Sequence, residues 1–100
     1  MAHNLARGNI IEILEKLLDK ATTEKQRRIL VLLTKKEFRF ISTTQTVKIL
    51  AAQLACAEST VWDSISALKE LELVVCNGRV ELTKVGMICA NILGDKNVRI

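Results

Sequence analysis

The chain has 100 residues, of which 49% are hydrophobic, 26% are charged and only 3% are aromatic, and it contains no proline. This composition predicts one small folded domain with an aliphatic core and excludes disordered, collagen-like and disulfide-scaffold proteins. With one histidine and no glycine-rich loop in so short a chain, we expect no enzyme activity, no catalytic residues and no cofactor.

The basic side chains are concentrated in the first half of the chain. Residues 1–50 carry ten basic and five acidic side chains, whereas residues 51–100 carry five and six, within a net charge of +4. A small basic domain either binds a polyanion or has a basic surface that only keeps it soluble. Charge alone does not separate these alternatives, which also apply to Lys25, Arg27 and Arg28 individually.

The cysteines and the hydropathy pattern indicate a cytoplasmic protein. Cys56, Cys76 and Cys89 are odd in number and form no C-x-x-C pair, and no signal peptide is recognised; this pattern is typical of reduced, buried thiols. His3 has no metal-ligand spacing to any of them, so no metal site is predicted. The longest apolar run, Ile29–Leu33, is far shorter than the ~20 residues of a membrane span.

Two helices are predicted in the first third of the chain. An amphipathic helix is expected over residues 9–21, with Asn9 as its N-cap and Glu12 as the capping-box partner. The Thr23–Gln26 segment is a second capping box, and it predicts a helix that runs to about Lys36.

The middle of the chain predicts a very short strand and two further helices. The alternation of apolar and polar residues over 38–41 favours the strand. A third helix is expected over roughly 44–54, capped from within Ser42–Thr44, and a fourth over about 58–71 after a short break. The buried stripe of the fourth helix is predicted to contain Val61, Ile65, Leu68 and Leu71.

A β-hairpin is the clearest local signal of the sequence. Two β-rich runs, residues 73–76 and 79–82, are separated by Asn77-Gly78, which is typical of a two-residue type I′ turn.

A last helix is expected after the hairpin. Thr83 is its predicted N-cap, and the helix is expected to cover about 84–93 and to end at Gly94. Residues 95–100 are then a frayed tail.

This order of elements resembles the winged helix-turn-helix family of small prokaryotic and archaeal-type DNA-binding regulators. Ile49–Leu68 looks like the helix-turn-helix, with a Leu-Ala pair at its start, a leucine before the turn and Ser-Thr-Val in the second helix. Lys69–Val74 is similar to the exit from the recognition helix, Asn77–Arg79 to the wing tip and Leu82–Gly86 to the step into the last helix. The resemblance covers about residues 25–93.

The resemblance implies a mainly α (α+β) fold: a winged helix over residues 23–94 with a short two-stranded wing and extra N- and C-terminal helices, the first within residues 1–22. It also implies sequence-specific binding of double-stranded DNA, as in a transcriptional regulator. The DNA-binding residues expected from it are Thr44, Gln45, Lys48, Glu58, Ser59, Trp62, Asp63, Ser66, Asn77 and Arg79.

The sequence departs from the family pattern at several positions. Ala55 and Glu72 stand where the family usually has glycine, so a positive φ there would cost on the order of 1 kcal/mol. Ala57 occupies the N-cap position, where serine or threonine would be better. Glu58 and Asp63 make the expected recognition face acidic: they repel phosphates, although carboxylates can accept a hydrogen bond from cytosine N4.

The two terminal helices are apolar on several sides. A helix of this kind must be covered on several sides, and one small domain can hardly cover both. We therefore expect a homodimer, the alternative being a monomer whose first and last helices pack on each other. The expected interface residues are Ile10, Leu14, Leu17, Ile88 and Ile92.

A second function is compatible with the same fold. Trp62 is expected either on the open surface of the recognition helix or folded back on the core beside Phe38 or Phe40. If it is open, the acidic face could bind a protein partner instead of DNA, because a fold does not fix a function.

Overall fold

The computed structural model describes the backbone of residues 2–98 and the side chains of residues 10–95. This part of the chain is mainly helical with one two-stranded antiparallel sheet, which confirms the expected mainly α (α+β) class. The elements are α1 (Ala2–Ala21), α2 (Glu24–Leu32), a 3₁₀ turn (Lys36–Phe38), α3 (Thr43–Leu54), α4 (Glu58–Glu70), β1 (Val74–Cys76), β2 (Val80–Leu82) and α5 (Lys84–Val98).

The first helix begins earlier than predicted, whereas the start of α2 is confirmed. Since α1 starts at Ala2, Asn9 lies inside the helix, and its assignment as N-cap was wrong. At the start of α2 the Thr23 hydroxyl accepts from the Gln26 N–H at 3.2 Å, and the Gln26 side chain accepts from the Thr23 N–H at 3.0 Å. This is the predicted capping box.

The second helix ends at Leu32 rather than at Lys36. The Thr34 hydroxyl donates to the Val31 carbonyl at 2.6 Å. Lys35 then takes an extended backbone conformation with ψ 143°. A local hydroxyl–backbone bond of this kind competes with the helical ladder and favours the end of the helix.

The strand expected over residues 38–41 was wrong. Phe38 ends the 3₁₀ turn and is 2% exposed, whereas Phe40 is 86% exposed. A regular strand would place both rings on one face, and the core admits only one of them. The chain instead runs beside the hairpin, held by a bond from the Arg79 guanidinium to the Arg39 carbonyl at 2.7 Å and one from the Thr43 N–H to the Gly78 carbonyl at 3.0 Å.

The core is aliphatic and lies between the helices and the small sheet. Leu71, predicted in the buried stripe of α4, is 41% exposed instead. Leu71 is the C-cap of the helix, at the end of the stripe, and has no following helical turn beside it. The side chains with 1% exposure or less include Ile29, Leu30, Val47, Leu50, Val61, Ile65, Leu68 and Val74.

Helices α3 and α4 both end on a left-handed residue that is not glycine. Ala55 has φ 53° and Glu72 has φ 61°. At each end the following residue donates its N–H five residues back, from Cys56 to the Ala51 carbonyl and from Leu73 to the Leu68 carbonyl, both at 3.0 Å. These are Schellman motifs, in which glycine is the favoured residue. The positive φ anticipated at both positions is therefore present.

The hairpin has the predicted location but a different turn. Val74 pairs with Leu82, and Cys76 pairs with Val80, so three residues, Asn77–Arg79, connect the strands. Within this loop only Gly78 has a positive φ, 75°. A type I′ turn needs two central residues at positive φ, so the predicted two-residue turn was wrong.

The start of α5 is joined closely to the exit from α4. As predicted, Thr83 is the N-cap: its hydroxyl accepts from the Gly86 N–H at 3.0 Å and also donates to the Glu72 carbonyl at 2.7 Å. The Thr83 N–H donates to the Leu73 carbonyl at 3.0 Å. A Cβ placed on Gly86 would lie 1.9 Å from that carbonyl oxygen, so only glycine fits.

The last helix does not stop at Gly94. It continues to Val98, and Gly94 has no positive φ of the kind that ends a helix at glycine. Residues 95–98 are therefore helical rather than a frayed tail, and residues 99–100 lie outside the described residues.

The left-handed residue at the end of α4 gives a prediction for stability. Replacing Glu72 by glycine should raise the free energy of unfolding by up to about 1 kcal/mol, because glycine reaches positive φ without the steric cost of a Cβ. The control is Glu72→Ala, which removes the same exposed carboxylate but keeps the Cβ. Urea denaturation should show the gain only for glycine. Equal stability of the two variants would contradict the left-handed assignment.

Two glycines of the same helix should respond to alanine with opposite signs. Gly86→Ala forces a Cβ against the backbone of Leu73 and should destabilise the fold by about 2 kcal/mol or more. No atom outside its own helix backbone and chain neighbours lies within 4 Å of a Cβ placed on Gly94, so Gly94→Ala should stabilise the helix by up to about 1 kcal/mol. Thermal unfolding followed by circular dichroism compares the pair. A tolerated Gly86→Ala would mean that α5 does not approach Leu73 this closely.

Candidate nucleic-acid interface

All ten residues predicted to contact DNA have exposed side chains. They lie on three adjoining parts of the fold, since α3 packs on α4, α4 packs on β1, and Thr43 bonds to the hairpin loop at Gly78. The three groups are Thr44, Gln45 and Lys48 on α3, then Glu58, Ser59, Trp62, Asp63 and Ser66 on α4, and Asn77 and Arg79 in the loop.

The start of α3 is fixed by a capping box that uses one of the predicted site residues. The Ser42 hydroxyl accepts from the Gln45 N–H at 3.2 Å, and the Gln45 amide oxygen accepts from the Ser42 N–H at 3.0 Å. Gln45 therefore caps the helix, which leaves its amide NH₂ group as the donor for a ligand. Thr44 and Lys48 are exposed beside it.

The outer face of α4 is polar, acidic and centred on a tryptophan. Trp62 is 41% exposed, so its ring is open to solvent and is not folded into the core. Ala57 provides no side-chain cap to the helix. Glu58 in the first turn therefore has a structural role as well, because a carboxylate stabilises the positive end of the helix dipole. Asp63 adds a second negative charge to this face.

The hairpin loop is stiffened by its arginine. One guanidinium nitrogen of Arg79 donates to the Arg39 carbonyl at 2.7 Å, and the other lies 3.1 Å from the Glu81 carboxylate. The side chain remains 48% exposed. These contacts fix the direction of the guanidinium while leaving surface for a phosphate or a groove edge, although an exposed ion pair by itself contributes little stability.

A basic and aromatic segment lies next to this loop and was not predicted as part of the interface. Lys35, Lys36, Arg39 and Phe40 are all exposed, and Arg39 is bonded to the loop through its carbonyl. A clustering of cations around one phenylalanine was visible in the sequence. The alternating pattern, however, suggested a strand, in which Phe38 and Phe40 would share the buried face.

Arg27, near the start of α2, makes structural contacts within the fold. Arg27 donates to the Thr22 carbonyl at 2.6 Å and lies 3.6 Å from the Asp19 carboxylate. It thereby joins the end of α1 to α2, and its engagement agrees with a structural role for this cation.

The terminal helices leave a large apolar surface uncovered. Ile10 and Leu17 on α1 are each 56% exposed, and Ile88 on α5 is 55% exposed; Leu14 and Ile92 are half-buried. The two helices do pack on each other, but this contact does not cover those side chains. A mostly apolar groove of about 170 Å³ lies beside α1 and is lined by Leu14, Leu17, Leu18, Ala21, Thr22, Leu71, Leu73 and Cys89.

The three cysteines differ in burial, since Cys89 is buried whereas Cys56 and Cys76 are half-buried. All three are free thiols, and burial raises the pKa of the Cys89 thiol above its usual range, which keeps it neutral at physiological pH. Within the described residues, no group of His, Cys, Asp and Glu side chains could hold a metal ion. Nor is any helix described there long and apolar enough to cross a membrane.

Comparison with known proteins gives no relative. The chain matches no protein-family model, no curated protein and no solved structure. The functional interpretation therefore depends on the geometry of the exposed surfaces.

Proposed function

We propose that this protein is a winged-helix transcriptional regulator that binds double-stranded DNA sequence-specifically as a homodimer. In this proposal α3 and α4 are the helix-turn-helix, α4 is the recognition helix, and the β1–β2 hairpin is the wing. The observation that carries the proposal is that polar side chains of three adjoining elements are exposed together, while the opposite sides of α3 and α4 form the core.

The dimensions of these elements suit B-form DNA. A single exposed helix such as α4 fits the major groove, which is about 12 Å wide. Ser59, Trp62 and Ser66 would then be directed at base edges and sugars. Lys48 on α3 and Arg79 on the wing would meet phosphates, which position the protein but carry no sequence information.

The acidic residues of α4 favour selectivity over affinity. Asp63 and Glu58 repel the phosphate backbone, which weakens binding to any sequence. A carboxylate that accepts a hydrogen bond from cytosine N4 recovers part of this loss at the correct base pair only. Attraction must therefore come from cations outside α4 and from two copies that bind together.

A homodimer is supported by the apolar surface of α1 and α5. A second copy could cover Ile10, Leu17 and Ile88 on both chains at once, because a two-fold interface uses the same patch twice. A dimer with two-fold symmetry also matches palindromic DNA with half-sites about one helical turn apart.

An alternative function is a protein-interaction module on the same scaffold. The exposed ring of Trp62 between two carboxylates is the specific observation in its favour, since tryptophan is enriched among the residues that dominate protein–protein binding. Binding of this kind would depend weakly on salt, whereas DNA binding falls steeply as salt rises.

Removal of the wing arginine should weaken binding to every duplex. Arg79→Ala is expected to lower affinity for random and selected duplexes and to reduce the salt slope by about one charge, because a charge that meets phosphate is lost. Fluorescence titrations of both duplexes at two salt concentrations measure this. If the wild-type protein binds no duplex at low salt, the DNA-binding proposal fails and the protein-interaction alternative takes its place.

Removal of the carboxylate of Asp63 should act in the opposite direction. Asp63→Ala removes a repulsion from phosphate, so binding to random duplexes should increase. If Asp63 reads a cytosine, discrimination at that base pair should fall by about 1–3 kcal/mol. Asp95→Ala is the matched control, because it removes an exposed carboxylate from α5 rather than from α4. Equal increases for the two variants would show that only net charge matters.

One substitution can test dimerisation independently of folding. Sedimentation at micromolar concentration should give about twice the mass of one chain. Ile88→Asp should produce a folded monomer, because Ile88 is largely exposed on a single chain but would place an unpaired carboxylate in the interface. Val75→Asp, at an exposed position of β1, should leave the dimer intact. A wild-type monomer at these concentrations would contradict the proposal.

A further inference from the structure

Phe40 is the most exposed large hydrophobic side chain among the described residues. Its ring is 86% exposed, whereas Phe38, two residues earlier, is 2% exposed. Burial of a phenylalanine contributes about 1.5–3 kcal/mol, and the fold obtains none of this from Phe40. The side chain is therefore available to a partner.

The backbone of Phe40 is fixed beside the wing loop. On one side, the Arg39 carbonyl accepts from the Arg79 guanidinium at 2.7 Å, and on the other, the Thr43 N–H donates to the Gly78 carbonyl at 3.0 Å. Phe40 lies between these two contacts, so the wing loop and the phenylalanine form one surface. A ligand that reaches the loop also reaches the ring.

The surroundings of the ring are cationic and open. Arg39 and Arg79 are exposed, and an open groove of about 370 Å³ adjoins the ring, with Phe38, Glu81 and Met87 among its other lining residues. Glu81 pairs with Arg79 at 3.1 Å, whereas Arg39 adds a positive charge directly beside the ring. Lys35 and Lys36 of the same segment are also exposed, so cations outnumber the carboxylates of Glu37 and Glu81 and the net charge attracts phosphate.

We propose that Phe40 is an apolar wedge that enters the minor groove beside the wing and partly unstacks a flexible base step of the bound duplex. This inference rests on the proposed DNA-binding function and adds to it a contact outside α4. Minor-groove proteins combine arginines with an inserted apolar side chain in this way and kink the duplex as a result. Pyrimidine–purine steps such as TpA unstack most easily, so the wedge selects sequences by deformability rather than by base contacts.

The test compares two short duplexes that differ in stiffness. One has a central TpA step with 2-aminopurine next to it, and the other has an A-tract with 2-aminopurine at the same place. The wild-type protein should brighten the 2-aminopurine of the TpA duplex, which reports unstacking, and should bind this duplex about tenfold more tightly than the A-tract.

Substitutions of Phe40 should change both signals together. Phe40→Ser should remove the brightening and the tenfold preference, whereas Phe40→Trp should keep them. Val75→Ser removes an exposed apolar side chain from β1 and should change neither the brightening nor the preference. Circular dichroism checks that each variant is folded, which is expected because the substituted side chains are on the surface.

The outcomes separate this inference from the function on which it rests. If the wild-type protein and Phe40→Ser bind both duplexes alike, with equal 2-aminopurine signals, the wedge is overturned while DNA binding stands. If the wild-type protein binds neither duplex at low salt, the DNA-binding function and the wedge are both overturned.

Discussion

The carbonyl oxygen of Leu73 is the point at which the exit from α4, the hairpin and α5 meet. It accepts the Thr83 N–H at 3.0 Å, and a Cβ on Gly86 would lie 1.9 Å away from it. Glu72, the preceding residue, has a left-handed backbone conformation, and its carbonyl accepts a hydrogen bond from the Thr83 hydroxyl. The junction sets the direction in which the hairpin leaves α4, and hence where the hairpin loop lies relative to the exposed face of that helix.

The strain at Glu72 is a consequence of the same junction. Three residues, Leu71–Leu73, separate the end of α4 from the start of β1. A left-handed residue commonly ends a helix in this way, and here it is Glu72 rather than glycine. The three hydrogen bonds around Thr83 and the burial of Leu73 and Val74 hold that conformation in place. Ala55 repeats the left-handed conformation between α3 and α4, so the ends of both helices are determined by packing rather than by local preference.

Local chemistry made much of this fold predictable. The capping box at Thr23 and the cap at Thr83 depend on residues a few positions apart, and α2 and α5 begin where these residues predict. For α3 the sequence offered three cap candidates, Ser42–Thr44, and the helix uses Ser42. Some errors have tertiary causes and others have local ones, such as the Thr34 hydroxyl bond at the early end of α2. The segment 38–41 is not a strand because the core accepts Phe38 and leaves Phe40 outside. The end of α5 was predicted from the presence of Gly94 alone. Gly94 does not take the left-handed conformation that ends a helix at glycine, and α5 continues to Val98.

The candidate interface was predictable in a different way. The helical periodicity that buries Val61, Ile65 and Leu68 on one side of α4 places Trp62 and its polar neighbours on the exposed side. The proximity of Arg39 and Phe40 to the wing could not be read from sequence, since it depends on contacts between residues about forty positions apart. The resulting surface has its acids on α4 and its cations around the wing, and we infer that attraction and base selection are divided between these two regions.

The most direct test is to map a bound duplex on the protein by NMR. The amide signals of an isotope-labelled sample are followed as DNA is added, together with the indole signal of Trp62, the single tryptophan of the chain. We expect shifts confined to α4, the start of α3 and the segments around Arg39 and Arg79, with the Trp62 indole among the largest. Shifts that instead cluster on α1 and α5, or a Trp62 indole signal that does not move at saturation, would contradict this expectation.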